Sequence, residues 1–360
     1  MIKLDDYVRT NKSVTKILKT VSISDDLKAV KYSVGKNGET FAFIAYPQGK
    51  MPDGGYPAVL LIHGGEGKAF SEWAKLWAKR GYVAIAPDFC AQEEFSGETV
   101  FNEKGGPKGY GSVNDFKSDE PWAYYSVLSA VSALDILSEM QCVNSEKICV
   151  QGISWGGFLS LTVCGTDSRP RALSVVYSSA FISDSVWGKE RGIKNFTDEE
   201  LLFYNENIDP QAYIGNIKCP VIFSAGCNDT AFSMKNRMRT AKSIVTRKAY
   251  SLRLFYQHSH TDGWTPEEPT VFFGSILDHV SFLEVRFILK DKEIKILNGK
   301  EFSELSLIFT KESLMQNDVC QWSERKIKNR IRLPENTLSW FIVGETYENL
   351  VVSTEVFDVK

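Results

Sequence analysis

The chain has 360 residues, with 42 Lys+Arg against 45 Asp+Glu for a net charge of -3. That length suits one large domain with a small companion, or two domains, and needs no disulfide or metal to hold a core. Hydrophobic residues at 43% and charged residues at 24% exclude a disordered or fibrous chain, and the lack of a basic excess argues against a nucleic-acid partner.

Residues 1–27 read as a polar, partly helical arm. Lys28–Val34 and Thr40–Tyr46 are β-rich, and Gly35-Lys36-Asn37-Gly38 between them predicts a hairpin turn. Pro57–Ile62 (PAVLLI) is continuously apolar, as a strand buried on both faces must be. Ser71–Arg80 carries Trp73, Leu76 and Trp77 at helical spacing and stops at Gly81. Tyr82–Ala86 is the next buried strand, followed by a long Gly-rich connection over residues 89–120.

Pro121–Met140 predicts a helix with proline in its first turn. Lys147–Gln151 predicts a strand, Gly156–Cys164 a helix and Ala172–Tyr177 a strand. The polar, aromatic stretch Ser183–Ile217 reads as a helical insertion. Val221–Ala225 and Ser251–Tyr256 are further strands around a helix near Ala231–Ile244, and Pro266–Phe282 is another helix. This alternation demands a mostly parallel sheet covered by helices, with about six parallel strands behind the hairpin.

Beyond residue 290 the pattern changes. Glu293–Leu297, Leu305–Thr310, Trp322–Leu333, Leu338–Val343 and Leu350–Phe357 are β runs with no helix between them. The expected organisation is an arm (1–27), an α/β unit (28–289) and a small β-sandwich (290–360).

Met1–Thr10 is polar and mixed in charge, unlike a signal peptide, and no apolar run nears the ~18 residues that span a bilayer. The expectation is a cytoplasmic protein without a membrane partner, or one whose leader has been removed. Seven Cys without CxxC spacing and four His predict free thiols and no metal or cofactor.

Four motifs carry chemistry. Gly152-Ile153-Ser154-Trp155-Gly156 is G-x-S-x-G between a buried strand and a helix. So sharp a reversal strains the central residue and lifts Ser154 Oγ clear of the sheet at a helix N-terminus. His63-Gly64-Gly65-Glu66-Gly67 follows the PAVLLI strand. Glycines there let a backbone amide approach a developing oxyanion. The amides of Trp155 and Gly65 are the expected pair, with Glu66 as an alternative to Gly65, and His63 is expected to hold the loop.

Gly226-Cys227-Asn228-Asp229 follows a late strand and offers Asp229 as the carboxylate that orients an imidazole. Tyr256-Gln257-His258-Ser259-His260 follows the last strand and offers two bases. With that strand ending near Tyr256, His260 sits further into the loop and is the favoured base. His258 is the other candidate. His279 reads as a surface or packing residue. The order Ser154, Asp229, His258/His260 is that of the α/β-hydrolase fold.

The runs HGGEGKAFSEWAKLWAKRGYVAIAPD, GGPKGYG, GISWGGFLSLTVCGTDSR and HSHTDGW resemble bacterial esterase-like α/β-hydrolases of the acetyl xylan esterase-like and dienelactone hydrolase-like kind. The resemblance covers roughly residues 30–290. It implies a Ser–His–Asp hydrolase without metal, acting on small-molecule or carbohydrate esters. Glu66 stands where many relatives have glycine, and Tyr110 where tryptophan is usual. The aromatic segments Phe101–Tyr110 and Trp187–Tyr213 are expected to wall the cleft. The leading expectation is a carboxylesterase that removes small acyl groups. Its rivals are a serine peptidase of the prolyl-oligopeptidase kind and a non-catalytic binding protein on the same fold.

Overall fold

The computed structural model describes residues 3–36, 38–65, 67–89, 122–186 and 188–359. Helix α1 (Leu4–Asn11) buries Leu4 and Tyr7. Strand β1 (Ile17–Ser24) lies within the expected arm. It is exposed at all but one position, so its sequence lacks the alternation that marks a half-buried strand. It pairs antiparallel with β2 (Leu27–Val34), which pairs antiparallel with β3 (Gly38–Ala45).

The α/β alternation then begins with β4 (Tyr56–Ile62), α2 (Ser71–Lys79), β5 (Val83–Pro87), α3 (Trp122–Glu139), β6 (Val143–Ile153), α4 (Trp155–Thr166) and β7 (Ala172–Val176). It continues through α5 (Asp198–Asn207), β8 (Val221–Gly226), α6 (Met234–Ser243), β9 (Lys248–Arg253), α7 (His260–Trp264) and α8 (Glu268–Leu277). Strands β4 to β9 are mutually parallel in the order β5-β4-β6-β7-β8-β9, and β3 closes antiparallel on β5.

Burial on both faces explains the unbroken apolar runs. Ala58, Leu60 and Ile62 of β4 face one core with α1, α3 and α4. Val59 and Leu61 face the other, with α2 and α8. The chain leaves β4 toward β5 on one side and returns as β6 on the other. That reversal opens a crevice beyond the carboxyl ends of β4 and β6, where ligands of open α/β sheets bind.

The remaining strands are β10 (Phe287–Lys290), β11 (Glu293–Ile296), β12 (Glu304–Thr310), β13 (Ser323–Lys326), β14 (Arg330–Arg332), β15 (Ser339–Glu345), β16 (Val351–Ser353) and β17 (Phe357–Asp358). β10, β11 and β14 form a separate three-stranded sheet. β16, β15, β12 and β13 extend the main sheet past β9. Ser353 pairs with Tyr250, and Ser353 Oγ accepts the Leu252 amide at 3.0 Å. Glu268 of α8 is 2% exposed, and its Oε1 accepts from Arg253 at 2.6 Å and from the Val351 amide at 2.7 Å. Leu307, Trp340 and Ile342 join the core under α2 and α8, so the C-terminal β region shares apolar packing with the parallel sheet.

Candidate active site

Ser154 stands between β6 and α4 with φ 56° and ψ -121°. A positive φ is uncommon for a residue with a side chain and is held here by its surroundings. The Ser154 amide donates to Val176 O at 2.8 Å, and Ser154 O accepts from the Gly157 amide at 2.9 Å. Close approach demands Gly156: a Cβ there would lie 2.0 Å from Ile62 O. The reversal is therefore wedged directly against the end of β4. Trp155 opens α4, its ring stacked between Trp122 (5.5 Å) and Phe158 (4.3 Å).

Asp229 follows β8 and is 5% exposed. Its Oδ1 accepts from the amides of Ala231 (2.9 Å) and Phe232 (3.1 Å). Oδ2 accepts from Arg237 Nη2 at 3.1 Å, and that guanidinium also donates to Phe232 O at 2.9 Å. Burial pushes the Asp229 carboxyl up, but His258, the Arg237 charge and the Phe232 amide outweigh it and hold the group below its ordinary value. Burial pushes the Arg237 guanidinium down, opposed by Asp229.

The ring between Ser154 and Asp229 is His258. Its Nε2 lies 2.7 Å from Ser154 Oγ, and its Nδ1 lies 3.3 Å from Asp229 Oδ1. His260, the ring favoured on loop position, is elsewhere. The difference has a simple cause. The expected last strand ran to Tyr256, but β9 ends at Arg253. Tyr256 is drawn out of the sheet, its amide donating to Asn228 Oδ1 at 3.0 Å and its hydroxyl to Asp262 O at 2.9 Å. The turn toward Ser154 thus comes early enough for His258 to fill the position.

His258 is stacked between two aromatic rings, Tyr177 at 4.9 Å and Phe232 at 6.2 Å. Tyr177 follows β7 with φ 53°, a second strained position at the carboxyl edge of the sheet. Nothing in the sequence marks Tyr177, Phe232 or Arg237 as part of the site. Their signals were an aromatic at a strand end, an aromatic beside the carboxylate loop and a basic residue in a helix, all of them common.

His260 opens α7, and its Nε2 accepts the Gly64 amide at 3.0 Å. Burial, together with the neighbouring His63 and His258, pushes its imidazole down to about 4. His63 is 3% exposed. Its Nε2 accepts the Phe89 amide at 2.9 Å, and its Nδ1 lies 2.8 Å from Gly64 O. Burial lowers its pKa too, against Asp88 and the Gly64 carbonyl. The glycine loop lies beside the elbow. A Cβ on Gly64 would sit 3.1 Å from Ser154 Cβ, and one on Gly65 3.9 Å from Trp155 Cβ. Glu66, Phe101–Tyr110 and Trp187 lie outside the described residues. His279, at φ 55°, follows α8 rather than lying inside it.

A hydroxyl, an imidazole and a buried carboxylate in line can pass a proton from serine to histidine and stabilise the imidazolium that forms. Among the described residues, no group of three or more His, Cys, Asp or Glu is placed to hold a metal ion. No described helix is long and apolar enough to cross a membrane.

Comparison with known proteins agrees with this architecture. Acetyl esterase Axe7A of Xylanibacter ruminicola is 25% identical over 246 residues, 63% of this chain and 54% of that protein. A probable dipeptidyl-peptidase 5 of Emericella nidulans is 26% identical over 164 residues, 42% of this chain and 21% of that protein. The chain thus spans about half the length of the first and about a fifth of the second. The solved acetyl xylan esterase from Paenibacillus sp. R4 superposes with a TM-score of 0.57 at 19% identity, covering 71% of this chain and 87% of that one. The acetyl xylan esterase 1 of a Thermoanaerobacterium species gives 0.56 at 17% identity, covering 71% and 88%. These structures share the α/β-hydrolase fold with the chain. The profile of the dienelactone hydrolase family matches residues 42–262, more than half of the sequence, and the chain belongs to that family.

Proposed function

We propose that the protein is a serine ester hydrolase that removes small acyl groups. The observation that carries this reading is the line Ser154–His258–Asp229, with gaps of 2.7 and 3.3 Å. With its proton on Nδ1, His258 accepts the Ser154 hydroxyl proton as Oγ attacks the ester carbonyl. Asp229 holds the resulting imidazolium. The amides of Trp155 and Gly65 receive the tetrahedral oxyanion. His258 then protonates the leaving alcohol, and water repeats the sequence to free the acid. Acetyl is the favoured acyl group, and carbohydrate a candidate alcohol, because the matched esterases are named for acetyl esters and acetyl xylan.

A second reading, a serine peptidase, draws on the dipeptidyl-peptidase match. One panel separates the two: p-nitrophenyl esters of increasing chain length, acetylated sugars and aminoacyl anilides. The expected result is fastest turnover on acetyl esters. A fluorophosphonate should label the wild-type protein once and leave Ser154→Ala unlabelled, with kcat reduced about 10⁴–10⁶-fold in that variant. Faster turnover of anilides would select the peptidase. No labelling and no turnover of any substrate would refute the hydrolase reading.

A further inference from the structure

Besides His258, the structure holds two histidines at the mouth of the site, the buried His63 and the half-buried His260, and both grip the same glycine. The Gly64 amide donates to His260 Nε2 at 3.0 Å. The Gly64 carbonyl accepts from His63 Nδ1 at 2.8 Å and from the Gly67 amide at 3.1 Å. A peptide unit is planar, so the Gly64 carbonyl and the Gly65 N–H are parts of one rigid plate and point in opposite directions. Fixing that carbonyl fixes the line of the Gly65 N–H. The preceding plate carries the Gly64 N–H, and His260 fixes that one. A glycine is free to rotate between two such plates. Here each plate has an imidazole on it.

The rings are fitted to this task. His260 packs against Phe70 at 4.8 Å and Trp264 at 6.3 Å. A Cβ on Gly67 would lie 2.7 Å from His63 Nδ1 and 2.8 Å from His260 Nε2, so both rings press on the loop where side chains are missing. Ser259, between the two loop histidines, is extended at φ -140° and ψ 161°. Residues on either side of an extended residue point the same way. The spacing H-x-H thereby delivers one ring to Ser154 and the other to the glycine loop. An imidazole nitrogen that accepts an amide proton carries none itself. The ionisable groups facing His260 are His63, from the loop after β4, and His258, from its own loop.

We propose that His260 is a positioning residue of the oxyanion loop: its bare Nε2 holds the plate before Gly64 while His63 holds the plate after it, and only with both held is the Gly65 N–H aimed at the tetrahedral intermediate. The inference rests on the serine-hydrolase reading. It assigns His260 to transition-state stabilisation and leaves the proton transfer to His258.

The test compares His260→Phe, which keeps a ring against Phe70 and Trp264 but removes the acceptor, with His260→Gln, which restores an acceptor at about the reach of Nε2. On a short p-nitrophenyl ester, His260→Phe should lose about 10–100-fold in kcat, with KM within about twofold, because one oxyanion donor is misaimed rather than deleted. A boronic acid that mimics the tetrahedral state should lose affinity in parallel with kcat, and His260→Gln should recover most of both. Amide exchange at Gly64, followed by NMR, reads the bond without turnover: protected in wild type and His260→Gln, fast in His260→Phe. Three results would overturn the proposal. They are unchanged kcat in His260→Phe, a KM effect alone, or a loss as deep as that of Ser154→Ala. If His260→Phe fails to fold, failure of the folded His260→Gln variant to keep Gly64 protected overturns it. Wild-type protein that resists fluorophosphonate yet protects Gly64 would sink the hydrolase reading and not the hydrogen bond.

Discussion

The elbow around Ser154 and the loop around His258 sit on opposite sides of one hydrogen bond and are built in opposite ways. At the elbow the backbone does the positioning. β6 and α4 leave one residue between them, the Ser154 amide is bonded to Val176 O, and Gly156 is pressed against Ile62 O. The loop from Leu254 to Ser259 has no regular structure. There the ring of His258 is held by side chains from distant segments: Asp229, Tyr177 and Phe232. The place of Ser154 is thus a local property of the chain, and the place of His258 is a property of tertiary packing.

Substitutions should divide along that line. The largest effect should come from Gly156→Ala, which leaves its new methyl no room against backbone oxygen. We expect loss of more than ~3 kcal/mol, at the upper end of overpacking penalties, read from the urea midpoint. A stable Gly156→Ala protein would show that the elbow is not set by backbone contact. A smaller effect should come from Phe232→Leu, which removes one of the two rings flanking His258 and leaves the Phe232 backbone bonds to Asp229 and Arg237 in place. Aromatic pairs are worth ~0.5–1.5 kcal/mol beyond area, so kcat should fall about 2–10-fold with labelling of Ser154 slowed alike. No change would mean that Asp229 alone orients the ring.

A third effect, confined to acid, should be on stability. His260 is pushed from its ordinary 6.5 to about 4 by burial and the neighbouring histidines, and His63 is lowered as well. The unfolded chain then binds more protons than the folded one between pH 6.5 and about 4, so stability falls as pH falls through that window. Urea midpoints measured across it should slope less in His260→Phe than in wild type. An equal slope would show that His260 is already protonated in the fold.

The same contrast explains what the sequence made legible. Ser154 is readable because strand, G-x-S-x-G and helix are consecutive, and Asp229 because it lies in the short turn just after the apolar run VIFSAG. The choice between His258 and His260 turned on where β9 ends. Leu254, Phe255 and Tyr256 have β-forming side chains, but Tyr256 is pulled away by Asn228 and Asp262, partners the local sequence does not reveal. Arg237 was invisible for a like reason. Its burial against Asp229 is a fact of packing between α6 and the loop after β8, and a lone arginine in a helix usually faces water. Strand β1 was missed because its side chains meet solvent on both faces.

The joint between β9 and β16 sets an order of events during synthesis. Tyr250 and Ser353 are separated by about a hundred residues of chain, and pairings of that range form late. Until residues 351–353 leave the ribosome, one flank of β9 has bare amides and carbonyls, and the buried Glu268 carboxylate lacks the Val351 amide. A nascent chain stalled between residues 290 and 350 would therefore carry a nearly complete hydrolase sheet with an open flank, the kind of surface that chaperones shield and that aggregation exploits.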